Sequence, residues 1–241
     1  MKNSTLKFGL FFILGLSAVV LSSCNRDNDD NGTEDASKII ATNVFNSSSE
    51  IVKVKAQVPW EEGDDSGFDP IAEANYENNG FTLQLPSTTD KKYLKLIYND
   101  DSEGIIISDK QAQFAFLIGI SAHDKDDEII GVFTFGESKS NEVHITQWLY
   151  VDRDDIVNGE LTDEDEVEGR VFTTILDYNL KKGWNQVYLV GTETHNSTGN
   201  TIITNTYTSK KPSGANYKWY YTSWDNSTPE KLRFPFFKMK R

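Results

Sequence analysis

The sequence predicts an all-β fold, an antiparallel β-sandwich of about twelve short strands, with an up-and-down β-barrel as the alternative. Aromatic residues make up 12% of the chain, and Thr, Asn, Ser and Tyr are plentiful, which favours strands and turns over helices. Short apolar runs recur between turns rich in Asp, Asn, Gly and Lys, as in sandwiches and barrels. No run has the apolar spacing of a convincing amphipathic helix.

The first part of the chain predicts two strands and a long loop. The apolar-rich runs 38–45 and 50–58 are separated by Asn-Ser-Ser-Ser at 46–49, which has the length of a hairpin loop. Residues 60–79 are acidic, rich in Gly and Asn, and interrupted by a proline. We therefore expect residues 60–79 to form a connection, with at most one helical turn at 71–74.

The middle of the chain predicts the core strands. Residues 80–86 alternate and would turn their Phe and Leu side chains inward. Residues 114–120 are apolar on both faces, as expected for a central strand covered on two sides, and residues 129–135 have the same character. The Asp-Lys-Asp-Asp turn at 124–127 would join these two runs as a hairpin. The other candidate strands are residues 93–98, 104–108, 111–122, 128–136, 142–151, 168–178, 184–194, 200–209 and 217–224, with a hairpin turn at 195–199.

The N-terminus has the features of a cleaved signal peptide. Lys2 and Lys7 precede an apolar run of 14 residues at 8–21. Crossing a bilayer takes about 20 apolar residues, so this run has instead the length of a signal-peptide core. It ends in Leu-Ser-Ser-Cys, which contains the only cysteine of the chain. This tetrapeptide resembles the lipobox of bacterial lipoproteins, and the resemblance implies cleavage before Cys24 and lipidation of its thiol.

The lipobox resemblance divides the chain into a signal peptide (1–23), an acidic disordered tether (24–37) and a single β-rich domain (38–241). The tether has no apolar periodicity. Its first aspartates lie within six residues of Cys24 and look like the export signal of lipoproteins in the Bacteroidota; the alternative is a solvated linker. The resemblance implies a protein anchored by lipid in the outer membrane and facing the cell exterior.

Charge and motifs argue against several functions. The net charge of −13 disfavours nucleic acid, whose binding depends on phosphate neutralisation by Lys and Arg. The chain has neither a Gly-x-Ser-x-Gly elbow nor a phosphate-binding Gly loop. His123, His144 and His195 lack the spacing of a zinc site, and we expect them at the surface or at strand ends. A Ser-His-Asp triad stays open because its members are distant in sequence, but the sequence favours a non-catalytic protein.

The last candidate strand carries the predicted ligand-binding residues. Tyr217, Trp219 and Tyr221 alternate onto one face, and Tyr220 and Trp224 lie on the other. A strand with aromatic residues on both faces exposes some rings unless it is central, and exposed patches mark interaction sites. We therefore expect a glycan-binding or adhesive platform around Trp219, Tyr217, Tyr221 and Trp224. The alternative is that one face belongs to the core and the other covers a sheet edge.

Acidic loops provide the candidate metal site. Three of them occur, at residues 124–128, 152–155 and 163–168. Calcium prefers several oxygen ligands from one flexible loop, so Asp152, Asp154 and Asp155 are the calcium candidates, although the spacing departs from that of an EF-hand. The alternative is solvated turns. No other cofactor is expected.

Three short segments extend the resemblance beyond the N-terminus: residues 80–86, 149–152 and 180–185. With the lipobox, they are similar to the β-rich, mostly uncharacterised lipoproteins of gut and oral Bacteroidota. In the last segment, Gly183 is expected at a positive φ, with Trp184 starting the next strand inward. The basic tail at 231–241 would close the sheet or touch membrane phosphates.

The sequence thus predicts a surface-exposed, lipid-anchored binding protein that captures glycan or mediates adhesion. The first alternative is a structural or accessory subunit that assembles with other proteins of the cell envelope, which would present a flat apolar patch or an unpaired sheet edge. The second is a glycoside hydrolase, which would need two converging carboxylates in a cleft.

Overall fold

Strands make up nearly all of the regular structure. The computed structural model of the protein describes residues 35–62, 65–97, 104–165, 170–196 and 201–224. Within these ranges the chain forms one 3-10 turn at Lys91–Tyr93 and fifteen strands. The strands are β1 (Lys38–Ala41), β2 (Lys53–Glu62), β3 (Asp65–Asn75), β4 (Phe81–Gln84), β5 (Lys95–Leu96), β6 (Ile105–Ile107), β7 (Gln113–Phe116), β8 (Gly119–His123), β9 (Ile129–Ser138), β10 (Glu142–Val151), β11 (Asp155–Asp165), β12 (Arg170–Leu180), β13 (Gly183–His195), β14 (Thr201–Thr208) and β15 (Lys218–Ser223).

The predicted all-β class is confirmed, and the large sheet is open, consistent with a sandwich and without closure into a barrel. Thirteen strands form this sheet in the order β3-β2-β8-β9-β10-β13-β14-β12-β11-β6, while β15 pairs with β9, β7 with β10, and β5 with β7. β1 and β4 form a separate two-stranded sheet. β12 and β14 run parallel; the other strand pairs in the described ranges are antiparallel.

Two predicted hairpins are confirmed and one is wrong. β8 pairs with β9 across the acidic turn at 124–127, and β13 pairs with β14. The hairpin expected between the first two strands does not form, because β1 pairs with β4, which comes more than forty residues later in the chain. The pairing places Ile39 opposite Leu83 and Ala41 opposite Phe81, so these four apolar side chains share one buried face.

β3 replaces the predicted acidic connection at 60–79. β2 continues to Glu62, and β3 pairs along its whole length. A register shift next to Gln57, which pairs with Pro70, leaves Ile71 as the extra residue of a bulge; the predicted helical turn at 71–74 is therefore wrong. β3 lies at one edge of the sheet, and edges and bulges are the places where strands accept proline. Its acidic side chains also protect this edge from pairing with another chain.

β11 is a second strand that was not predicted from the sequence, because acidic loops were expected at both of its ends, at 152–155 and 163–168. It pairs with β12 over eleven residues, from Asp155 opposite Leu180 to Asp165 opposite Arg170. On its other side it pairs with β6, which ends the sheet. The strand alternates weakly, because few of its side chains are buried. The sequence therefore did not indicate β11 as a strand, because a strand is recognised by an apolar face and the residues of β11 are largely acidic or polar.

The expected central strand at 114–120 divides into β7 and β8. The backbone N–H of Leu117 donates to Trp148 O on β10 at 2.9 Å, and that of Ile118 donates to Gln57 O on β2 at 3.0 Å. The chain thus leaves one neighbour and joins another within two residues. As a result, β7 lies beside β10, whereas β8 lies between β2 and β9.

β10 separates two hydrophobic clusters. One of its faces carries Trp148 and Tyr150 into a cluster of twenty buried residues, which we call the main cluster. The other face carries Leu149 and Val151 into a cluster of four, the second cluster, which also contains Leu180 and Val187. The main cluster includes residues of β1, β2, β4, β8, β9 and β15.

Several predictions concern residues outside the described ranges: the signal peptide, Cys24, the tether up to residue 34, and the basic tail at 231–241. The end of the predicted tether is described and belongs to the folded body. Ala36 packs against the main cluster, and Leu85 N donates to Ser37 O at 2.7 Å. The described residues contain no helix with the length and apolar character needed to cross a membrane.

Candidate binding cavity

Two of the four predicted ligand-binding aromatics lie in the main cluster. Trp219 is 5% exposed; its Nε1 donates to Ile40 O at 3.0 Å, and its ring stacks on Phe135 at 4.9 Å between centroids. Tyr221 is also buried, and its hydroxyl donates to Ile130 O at 2.9 Å. The expected exposed platform is therefore wrong for Trp219 and Tyr221, because that face of β15 packs into the sandwich.

The other two aromatics do not complete a platform. Trp224 is 48% exposed and follows the end of β15. Tyr217 is half-buried, and its ring lies 5.6 Å from that of Tyr188 and 6.1 Å from that of His144. Burial raises the pKa of Tyr217 above its ordinary value. Trp219 and Tyr221, which lie between Tyr217 and Trp224 in the chain, are buried. Tyr217 and Trp224 therefore do not form one exposed face of the strand.

The predicted calcium residues point to separate partners. Asp152 accepts a hydrogen bond from Gln113 N at 2.9 Å, and Asp154 accepts one from Lys182 N at 2.8 Å. Backbone and lysine hydrogen bonds lower the pKa of Asp154. Asp155 is 2% exposed, and its Oδ1 accepts from the Ser108 hydroxyl at 2.5 Å.

These contacts connect the three carboxylates to three different neighbouring segments, at Gln113, Lys182 and Ser108, instead of gathering their oxygens around one point. Across the described ranges, no three His, Cys, Asp or Glu side chains are grouped so as to hold a metal ion. The calcium expectation therefore has no support in the geometry of Asp152, Asp154 and Asp155.

One of the three histidines, His144, departs from the predicted surface or strand-end position, whereas His123 and His195 are the last residues of their strands. His195 is exposed at the end of β13, as expected, but His144 is buried in the interior of β10. His123 is buried at the end of β8, where its Nε2 lies 2.9 Å from Ser121 Oγ and its Nδ1 lies 2.9 Å from Asp127 O.

The group around His123 has the residue types of a catalytic triad but not the exposure of one. Ser121 is buried, and Lys55 pairs with Asp127 at 2.6 Å. A nucleophile must reach the substrate, whereas Ser121 Oγ also lies 3.3 Å from Lys55 O. We therefore assign these contacts to anchoring a buried histidine.

A cavity of about 200 Å³ lies on the face of β10 that carries the second cluster. It is mainly apolar and half-open. A single water needs about 10–15 Å³ of cavity volume on this measure, so the cavity can hold more than one structural water. Its lining consists of Ile97, Phe114, Phe116, Gln147, Trp148, Leu149, Val157, Leu176, Tyr178, Leu180, Val187 and Tyr207.

Strand register brings this lining together. Phe116 pairs with Leu149, and Gln147 pairs with Val187, so these side chains share one face of the sheet. Phe114 and Phe116 stand two residues apart on β7, with ring centroids 6.2 Å apart, and form an aromatic wall.

The opposite wall comes from β12, β14 and β11. Tyr207 pairs with Leu176 in parallel register, and Val157 pairs with Tyr178. Leu180 continues the same face two residues after Tyr178. Burial raises the pKa of both Tyr178 and Tyr207, so both phenols are neutral at physiological pH and can donate a hydrogen bond.

The sequence prediction missed this cavity, although part of its signal is visible. Residues 148–151 are apolar at every position, which indicates a strand covered on both faces, and Leu176, Tyr178 and Leu180 alternate. These patterns identify apolar faces. They do not show that the faces of β7 and β12 stand apart and leave a space between them.

Comparison with known proteins does not identify the chain: no family model, no curated protein and no solved structure matches it.

Proposed function

We propose that this protein is a lipid-anchored, non-catalytic binding protein that captures a small molecule in the cavity between β7, β10 and β12. The observation that carries the proposal is the cavity itself, whose lining is apolar except for a few polar side chains. Concave apolar pockets with a small number of convergent polar groups are the usual form of small-molecule sites.

A compact apolar ligand fits this lining better than a glycan. A sugar ring carries several hydroxyl groups, whereas only Gln147, Tyr178 and Tyr207 among the lining residues bring polar side-chain atoms to this face; the ring of Trp148 packs in the main cluster. Each buried polar group left without a partner costs about 1–3 kcal/mol. The glycan platform also loses its expected centre, because Trp219 is buried.

The location is proposed from the N-terminal sequence. The positive residues, the short apolar run and Leu-Ser-Ser-Cys support cleavage and lipidation at Cys24, and the acidic residues after Cys24 support display at the outside of the outer membrane. The membrane is then a partner through the acyl chains, and the cavity stands in a body held outside the bilayer.

The test is a binding screen on the mature chain with Cys24→Ser, so that no acyl chain competes for the cavity. Monocyclic and bicyclic aromatic compounds, short alcohols and free sugars are compared by thermal unfolding. A ligand present at a hundred times its Kd stabilises the fold by about 2.7 kcal/mol.

The variant Leu176→Trp fills the cavity and should abolish the stabilisation. Ile175→Trp is the matched control, because consecutive strand residues face opposite sides and both residues are half-buried. Equal stabilisation of the two variants would place the ligand elsewhere and contradict the proposal.

An exposed edge favours one alternative, a subunit of an envelope assembly. β6 ends the sheet, and its Ile106 is 72% exposed; Ile156 on the neighbouring β11 is also exposed. Such an edge can pair with another chain. A chain that binds no compound in the screen but forms a defined oligomer or complex in sedimentation experiments would support this alternative.

The glycoside hydrolase gains no support from the positions of the carboxylates. Asp155 is the one buried carboxylate in the described ranges, and it accepts hydrogen bonds from Ser108 and from backbone N–H groups. A second acid converging on it would be needed for the two-carboxylate mechanism.

A further inference from the structure

We infer that the cavity selects an uncharged ligand that carries a hydrogen-bond acceptor, such as a carbonyl oxygen, beside an apolar ring. The inference rests on the proposed function, because it names the chemical class of molecule that the same cavity takes.

The described part of the cavity lining carries no charged side chain. None of the twelve lining residues within the described ranges is Asp, Glu, Lys, Arg or His. A carboxylate or ammonium group that leaves water for such a surface loses its hydration and gains no counter-ion. An anionic ligand such as a fatty acid would therefore have to keep its charged group outside the cavity.

Two tyrosines, Tyr178 and Tyr207, lie side by side in the lining of the cavity. Tyr207 on β14 pairs with Leu176 on β12, and Tyr178 follows Leu176 by two residues on the same face. The two phenols are thus near neighbours in one wall, and Tyr207 adds to the effect of burial in raising the pKa of Tyr178. Burial favours their neutral forms, so each can donate its proton to a ligand oxygen.

The other side of the lining includes two phenylalanines and one glutamine. Phe114 and Phe116 stack at 6.2 Å between centroids and provide a surface on which an apolar or aromatic ring of a ligand can pack. Gln147 is the amide among the lining residues, and it lies on β10, two strands away from Tyr207 on β14. Two of the three polar side chains on this face, Tyr178 and Tyr207, therefore lie together in one wall, whereas Phe114 and Phe116 belong to a different wall on β7.

The experiment compares three probes of similar shape: acetophenone (neutral, with a carbonyl), benzoate (charged) and cumene (neutral, apolar). Binding to the mature Cys24→Ser chain is followed by chemical-shift titration. We expect acetophenone to bind at least a hundredfold more tightly than benzoate, because only benzoate must lose the hydration of a charge.

The hydroxyl groups are tested with the double variant Tyr178→Phe/Tyr207→Phe. Its affinity for acetophenone should fall at least fivefold, while its affinity for cumene stays the same. Tyr220→Phe is the matched control, because Tyr220 is a half-buried tyrosine on β15 outside the cavity lining, and it should bind all probes as the parent chain does.

The outcomes separate the inference from the proposed function. If benzoate binds as tightly as acetophenone, or if the double variant binds acetophenone unchanged, the cavity binds ligands but the inference is wrong. If none of the probes binds, or if Leu176→Trp binds them as well as the parent does, the proposed function fails and the inference fails with it.

Discussion

The two faces of β10 differ in how completely they are packed. One face places Trp148 and Tyr150 among the twenty buried residues of the main cluster, where the Trp148 ring stacks on Trp219 at 6.1 Å. The other face places Leu149 and Val151 in a cluster of four buried residues beside a cavity. The same strand therefore supports a filled interior on one side and an open space on the other.

The difference teaches where stability and binding reside in this fold. Stability comes from burial of apolar surface at about 25 cal/mol per Å², and most of the buried side chains belong to the main cluster. The second cluster contributes less to stability, and its incomplete packing leaves room for a ligand. Substitutions in the two clusters should therefore differ in their effects on stability.

The largest effect is expected at Trp219. Trp219→Ala removes a buried ring and its hydrogen bond to Ile40 O, and it should lower the free energy of unfolding by about 3–5 kcal/mol. Denaturant unfolding measures the change. The exposed Trp224→Ala is the control and should change stability by no more than about 0.5 kcal/mol. Similar losses in the two variants would contradict the packing difference between these rings.

An intermediate effect is expected when one valine in each cluster is enlarged. Val54→Leu adds volume to the main cluster, where Val54 is fully buried, and should destabilise by about 1–3 kcal/mol. Val187→Leu extends into the cavity and should be neutral or stabilise by about 0.5–1 kcal/mol. Urea unfolding compares the pair. If both variants lose the same stability, the space next to Val187 cannot take a larger side chain.

The smallest effect is expected at a surface contact of β3, the contact of Asp69 with Lys92 and Tyr93. Asp69 on β3 accepts hydrogen bonds from Lys92 at 2.6 Å and from Tyr93 at 2.8 Å. These contacts hold the pKa of Asp69 below its ordinary value of 3.8. The contribution to stability is therefore present above that value and is lost as the pH falls through the lower pKa of the folded state.

Asp69→Asn should accordingly flatten the loss of stability below about pH 4, by no more than about 1 kcal/mol, because the pair is partly exposed. Stability measured from pH 7 to pH 2 shows the difference. Asp65→Asn, at the start of the same strand, is the control. Identical acid profiles for the parent and Asp69→Asn would show that the contact does not persist in solution.

Much of the fold could be predicted where a strand buries one face. Phe81, Leu83 and Leu85 are buried as expected, and Gly183 has the expected positive φ, at +101°. β3 and β11 could not be recognised in this way, because β3 has no buried residue at all in its pattern and β11 is strongly acidic. Both are held by pairing with their neighbours, and backbone pairing does not depend on the side chains that sequence patterns reveal.

The candidate site shows the same limit. The alternation of Tyr217, Trp219 and Tyr221 onto one face is a local property, and the sequence predicts it correctly. Whether that face is exposed depends on β4 and β10, which pack Phe81 and Trp148 against Trp219. These residues are far away in the chain, so a prediction from one segment could not assign the rings to the core.

The sequence by itself determined the all-β class, most of the strands, two hairpins, and the signal and lipobox pattern from which the anchor is proposed. These properties depend on residues close together in the chain, through alternation, turn chemistry and local motifs. Only the tertiary structure decided the pairing of β10 with three strands, β7, β9 and β13. It also decided the burial of Trp219 and the cavity between Phe116 and Tyr178. Each of these results from distant strands meeting, and the space between two apolar faces is a property of neither strand alone.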